Sequence, residues 1–195
     1  MKNLQSRTRS QRGFSLLEVM ATLSIAAVVG SMATASIVTA RRAIQGDGAM
    51  RIVMTQFNTA REMAITQRHL MEIQFSGNNW VRIVRHEIGG ATTVVASVAL
   101  ESGAQFALTP GVPDTPEGFG SIDPISFGAA QAVMFNTDGT LVDTNGSPIN
   151  GTVFLGIPNQ TGSTRAVTVL GSTGRVRGYK WVADSNGANG TWVRV

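Results

Sequence analysis

One stretch of this chain restricts its folding more than any other. Phe14 to Ala40 reads FSLLEVMATLSIAAVVGSMATASIVTA, 27 residues with a single charge at Glu18, and Val19 to Ala40 is 22 residues with none. A helix that crosses a bilayer needs about 20 mostly apolar residues. The run has that length, and the competing reading, a buried helix of a soluble domain, fits so long an uncharged stretch poorly. Small residues recur between the large ones, which suits close helix–helix packing. The preceding segment, MKNLQSRTRSQRG, carries Lys2, Arg7, Arg9 and Arg12 and no acid. Basic flanks stay on the cytoplasmic side, so the rest of the chain is expected on the opposite side. Arg41 and Arg42 oppose this weakly, at two charges to four. A secretory signal peptide would have a shorter apolar core with a cleavage site after it. Here Ala33-Thr34-Ala35, which imitates such a site, lies deep inside an unbroken run.

The junction itself reads Arg12-Gly13-Phe14-Ser15-Leu16-Leu17-Glu18-Val19-Met20. A basic leader ends in Gly, Phe follows, and the fifth residue of the apolar run is Glu. This combination resembles the class III signal of type IV prepilins and type II secretion pseudopilins. The resemblance implies cleavage between Gly13 and Phe14 by a membrane prepilin peptidase, and methylation of the new amino group of Phe14. It also implies a retained helix that anchors the subunit in the bacterial inner membrane and later packs into a filament with other pilins or pseudopilins, through an inner-membrane assembly platform.

Glu18 carries a physical argument of its own. A carboxylate at the bilayer centre costs at least ~2.5 kcal/mol, so it needs a partner or a function. In a helical array, Glu18 of one subunit could meet the Phe14 amine of its neighbour and set the docking register. The alternative is an interfacial Glu that reaches for the headgroups. Many pilins have a Pro within this helix. Here no Pro precedes Pro110, so a continuous helix is expected, with Gly30 as its weak point.

Beyond Arg42 the helical pattern is expected to pause at Gly46-Asp47-Gly48. It resumes with Met50, Val53, Phe57, Ala60 and Ala64 on one face and Arg51, Arg61, Glu62 and Arg68 pointing outward. From Met71 the period becomes two. Met71–Phe75 and Trp80–Arg85 flank the turn cluster Ser76-Gly77-Asn78-Asn79 as a hairpin. Further strands are expected at Thr92–Ala99, Ala132–Phe135, Thr152–Ile157, Arg165–Leu170, Arg175–Trp181 and Thr191–Val195, with Thr109–Gly120 as loop. The fold expected is therefore α+β and pilin-like: a cleaved leader over 1–13, a transmembrane and assembly helix over 14–40, its amphipathic continuation over 41–68, and a β-rich periplasmic domain over 69–195.

Three details resemble the GspH/FimT branch of minor pseudopilins. They are Ala60-Arg61 with Ala64-Ile65 before a hairpin, Phe135-Asn136-Thr137-Asp138-Gly139 ending a strand, and Val167-Thr168-Val169 followed by Gly174-Arg175.

Enzyme signatures are missing from the sequence. It has no Walker A loop, no HExxH, no nucleophile elbow and no Cys. Charged residues are 14%, too few for a charge-driven disordered chain. His69 and His86 lack an evident carboxylate partner and are read as surface residues. Asp138-Gly139 and Asp143-Thr144-Asn145-Gly146 invite a calcium reading, but no bidentate Glu follows at the position an EF-hand requires, so they are read as hairpin turns. No enzyme activity, cofactor or metal is expected.

Without the leader's four cations, 12 basic and 12 acidic side chains remain. Residues 87–164 hold seven acids and no base, and residues 165–195 hold five bases and one acid. In an extended Gly174-Arg175-Val176-Arg177-Gly178-Tyr179-Lys180-Trp181, Arg175, Arg177, Tyr179 and Trp181 share a face. Paired Arg with aromatics suits a phosphate backbone with base stacking. The Gly-Arg-x-Arg pattern also resembles the DNA-binding motif of FimT-type minor pilins, which makes Arg175, Arg177, Tyr179 and Lys180 candidate DNA contacts. The bland alternative is a core strand whose Tyr179 and Trp181 pack on the helix.

Overall fold

A computed structural model describes residues 14–101, 103–128, 132–184 and 189–195; the leader and Gly13 lie outside them, as do the side chains of residues 32–36, 38, 39 and 42. One helix, α1 (Leu16–Gln67, 52 residues), is followed by strands. The chain divides into two units at Thr39/Ala40.

In the first unit α1 exposes Leu16, Leu17, Val19, Met20, Leu23, Ile25, Val28, Val29 and Ile37. Its described hydroxyls are satisfied within the helix: Thr22, Ser24 and Ser31 donate to the carbonyls of Val19, Met20 and Val28. Among the described residues no helix is long and apolar enough to cross a membrane. The span expected over 14–40 therefore rests on its sequence, and positions 32–36 of that run lie outside the described side chains.

In the second unit the expected amphipathic face is the core face: Met50, Val53, Phe57, Ala60 and Ala64 are all buried. Two sheets share this core. The first has the order β3-β2-β1-β6-β7, with β1 (Met71–Ser76), β2 (Trp80–His86), β3 (Thr92–Ala99), β6 (Val133–Phe135) and β7 (Leu141–Val142). The second has the order β11-β10-β9-β8-β4, with β4 (Gln105–Phe106), β8 (Gly151–Ile157), β9 (Gln160–Leu170), β10 (Arg175–Ala183) and β11 (Gly190–Arg194); β5 (Ile125–Ser126) pairs with β8. All ladders are antiparallel. Ile73 and Met71 from one sheet and Val153, Leu155, Val167 and Val169 from the other meet the helix face. Phe57 is the hub, with Phe75, Phe127 and Phe135 at centroid distances of 6.3, 6.2 and 6.2 Å.

The expected pause at Gly46-Asp47-Gly48 does not occur, and α1 runs through it. The backbone of β9 comes so close at Gly46 that a Cβ there would strike the Ser163 carbonyl. Asp47 pairs with the fully buried Arg165 at 2.6 Å. The Gly-Asp sequence thus marks where a strand leans on the helix, and glycine's usual helix-weakening reading is overridden by packing. Strands β4, β5 and β7 are two residues each, too short to leave a periodic signal, and β9 starts five residues before its expected beginning.

Candidate functional site

The junction enters the described residues at Phe14, which is exposed. The Val19 amide donates to the Ser15 carbonyl at 3.1 Å, which makes Ser15 the N-cap of α1 and Glu18 its third helical residue. Ser15-x-x-Glu18 is the spacing of a capping box, and Phe14 and Val19 stand at the N′ and N4 positions of a hydrophobic staple. A carboxylate in the first turn also complements the helix dipole. Glu18 is thus the acidic residue of the first turn of α1. The spacing was present in the sequence as S-x-x-E.

The second candidate region lies on β10, whose register against β9 alternates cleanly. Val176, Gly178 and Lys180 stand opposite Val169, Val167 and Arg165, on the helix side. Arg175, Arg177, Tyr179 and Trp181 take the other face, so Lys180 does not share a side with the two arginines. At Gly178 a Cβ would come within 2.8 Å of the Met54 sulfur and 2.9 Å of the Met50 sulfur, so this glycine is where α1 lies on the strand.

On the far face, Tyr179 and Trp181 are buried with Phe154, Ala166 and Trp192. They do not pack against the helix, as the bland alternative held. Instead Leu108 and Val112 of the loop 107–120 pack over them. That loop is held at several points. The Trp192 indole donates to the Pro113 carbonyl at 3.0 Å, Thr109 and Thr164 share a hydroxyl hydrogen bond, and Asp114 accepts from the Gly120 amide. Glu117 then reaches Arg177 at 2.6 Å. Burial pushes the Glu117 carboxyl up, but the polar side chains of Thr168, Arg177 and Tyr179 around it outweigh this and hold the group below the usual glutamate range.

This pairing changes the charge map. Of the five cations in residues 165–195, Arg165 is neutralised by Asp47 and Arg177 by Glu117. Arg175 is exposed at the start of β10 and has no ion-pair partner among the described residues. Half of the local excess of four positive charges is thus spent on acids from other segments.

Three sequence details that lie far apart converge at one junction. The Arg61 side chain donates from Nε to the Gly139 carbonyl at 3.1 Å, so Arg61 does not point freely outward. Gly174 is left-handed at φ +61°, and a Cβ there would strike the Gly139 carbonyl and stand 2.7 Å from Arg61 Nε. The end of α1, the β6–β7 turn and the β9–β10 turn therefore meet through Arg61, Gly139 and Gly174. Gly174 has a structural reason to be glycine whether or not Arg175 binds anything.

The remaining polar groups serve turns and pairs. Asp138 accepts from the Thr140 amide and hydroxyl, and Asp143 from the Asn145 and Ser147 amides; these bonds lower both carboxyl pKa values. This is hairpin-turn chemistry. His86 Nε2 lies 2.8 Å from Glu72 and His69 Nε2 lies 3.7 Å from Glu87, so both histidines do have carboxylate neighbours, brought in by strand pairing. Among the described residues no group of three or more His, Cys, Asp or Glu converges as a metal site would require.

Residues 8–34 match the family model described as Prokaryotic N-terminal methylation motif. The matched segment contains Gly13, Phe14 and Glu18. No curated protein and no solved structure matches the chain.

Proposed function

Starting from a type IV prepilin-like N-terminus that heads an α+β chain, we propose that this protein is a minor pilin or pseudopilin of the GspH/FimT kind. It is a structural subunit and not an enzyme. The observation that carries the reading is the methylation motif over residues 8–34. A prepilin peptidase cuts after Gly13 and methylates Phe14. The apolar helix over 14–40 then holds the subunit in the bacterial inner membrane with its β domain in the periplasm. From there it joins other pilin-like subunits in a type II secretion pseudopilus or a type IV pilus. Two features support a helix that lives among apolar neighbours: its exposed Leu, Ile and Val surface, and hydroxyls that bond their own backbone. Glu18 pairs with the Phe14 amine of a neighbour in the filament.

Mass spectrometry of the protein extracted from membranes tests this. A methylated N-terminus at Phe14 is expected, and Gly13→Ala should abolish it. Glu18→Ala should leave cleavage intact and impair assembly. A mature chain still beginning at Met1 overturns the reading.

The second reading is DNA binding through the Gly174-Arg175-Val176-Arg177 segment, favoured by the exposed Arg175 without an acid partner. Salt-sensitive retardation of DNA by the full chain in detergent, lost in Arg175→Ala/Arg177→Ala, is the expected result. Equal binding by parent and variant sinks it.

A further inference from the structure

The strand edges of the β domain are not alike. β4 and β7 are two residues each, and β7 runs on into a bridge from Val142 to Pro148. The β11 edge carries Arg194. Short strands and charges are the usual ways of keeping an edge from pairing with another chain. β3 has neither. It is eight residues, TTVVASVA, with no charge, Pro or Gly, and Thr92, Thr93, Val94 and Ser97 are exposed. It pairs with β2 on one side, and among the described residues no strand pairs with it on the other. Its single protective device is a bulge, where Ile83↔Ala96 gives way to Val84↔Val94 and Val95 stands unopposed. Apolar side chains extend along the same margin. Val94 is 56% exposed, and Trp80, which stands opposite Ala99 on the same face as Val94, is 43% exposed. Ile88, in the turn leading into β3, is 97% exposed.

We propose that β3 is an interaction edge whose occupant is β3 of a second copy of this chain, paired antiparallel. Charge selects this occupant. A strand without charge meets its own copy with no like charge opposite, whereas self-pairing through β11 would bring Arg194 into the interface. Antiparallel pairing of a strand with itself is two-fold and closed, so it makes a dimer and leaves neither copy's β3 edge free. This contact lies in the β domain and is independent of assembly through the N-terminal helix.

The chain has no Cys, so single cysteines report positions cleanly. The experiment is a scan from Thr92→Cys to Ala99→Cys in the full chain in mild detergent, oxidised and run on non-reducing gels. An antiparallel self-pair brings one position, or one adjacent couple, opposite its own counterpart. Shifting the cysteine by two residues separates the partners by four residues, about 13 Å, beyond the ~7 Å Cα reach of a disulfide. The expected result is a dimer band that peaks at one point of β3 and falls off on both sides. It is lost when Val94→Lys is added (Ser97→Lys where position 94 itself carries the cysteine), and a control Thr161→Cys on an exposed part of β9 stays monomeric. No dimer at any position, equal dimer along β3 and at Thr161, or a peak that survives Val94→Lys overturns the proposal.

Discussion

Between Leu16 and Ser31, α1 turns Leu, Ile, Val and Met side chains outward on all sides; between Ala49 and Ala64, the same helix buries its apolar residues on one stripe and leaves Arg51 and Glu62 in solvent. The backbone is one continuous α-helix through both stretches. What differs is the pattern: all-round apolarity in the first, a 3.6-residue stripe in the second. A stripe can be covered by a folded domain of the same chain, and here two sheets cover it. An all-round apolar helix offers no single face that such a pair of sheets could cover.

Three substitutions along α1 probe that contrast. Phe57→Ala should have the largest effect. The side chain is fully buried and touches three other rings, and such truncations cost about 3–5 kcal/mol. Chemical denaturation of the full chain in detergent reads this directly, and a loss under 1 kcal/mol would mean the helix stripe is not the domain's core. Asp47→Ala should come next, at about 3 kcal/mol, because it strands a fully buried guanidinium. Three carbonyls, those of Gly162, Thr164 and Ala43, remain to Arg165 and keep the loss at the lower end. Arg165→Met in the Asp47→Ala background should recover part of it. Leu23→Ala should be smallest, within about 0.5 kcal/mol, since that residue is 64% exposed in the first unit. A large loss of domain stability from Leu23→Ala would erase the distinction between the two stretches.

The comparison extends to what could be read in advance. The core stripe of α1 and the first hairpin follow from periodicity, because a helix or strand with one face buried must repeat its apolar residues at 3.6 or 2, and the bounds of β3 follow from its Val-rich composition. Gly46, Gly174 and Gly178 could not be read this way. Each was open to a local interpretation as a helix break or as part of a short motif, and each is glycine because a segment remote in sequence passes too close for a side chain. The candidate site divides along the same line. Gly13, Phe14 and Glu18 form a contiguous signal. The fate of Arg177, Tyr179 and Trp181 depended on the loop 107–120, which carries Glu117 to Arg177 and packs Leu108 and Val112 over the aromatic cluster, its Pro113 carbonyl held by Trp192.

The sequence alone therefore determined the N-terminal processing signal, the apolar run, the α+β order and most strands, since each is written in neighbouring residues or a fixed period. Only the tertiary structure decided which cations remain available, which aromatics are covered and which strand edge is left open. Arg165 and Arg177 look like surface charge until Asp47 and Glu117 are folded against them, and β3 looks like any other strand until the sheet order leaves one side of it unpaired. Electrostatic partners and sheet edges are set by contacts between distant segments, and no local period records them.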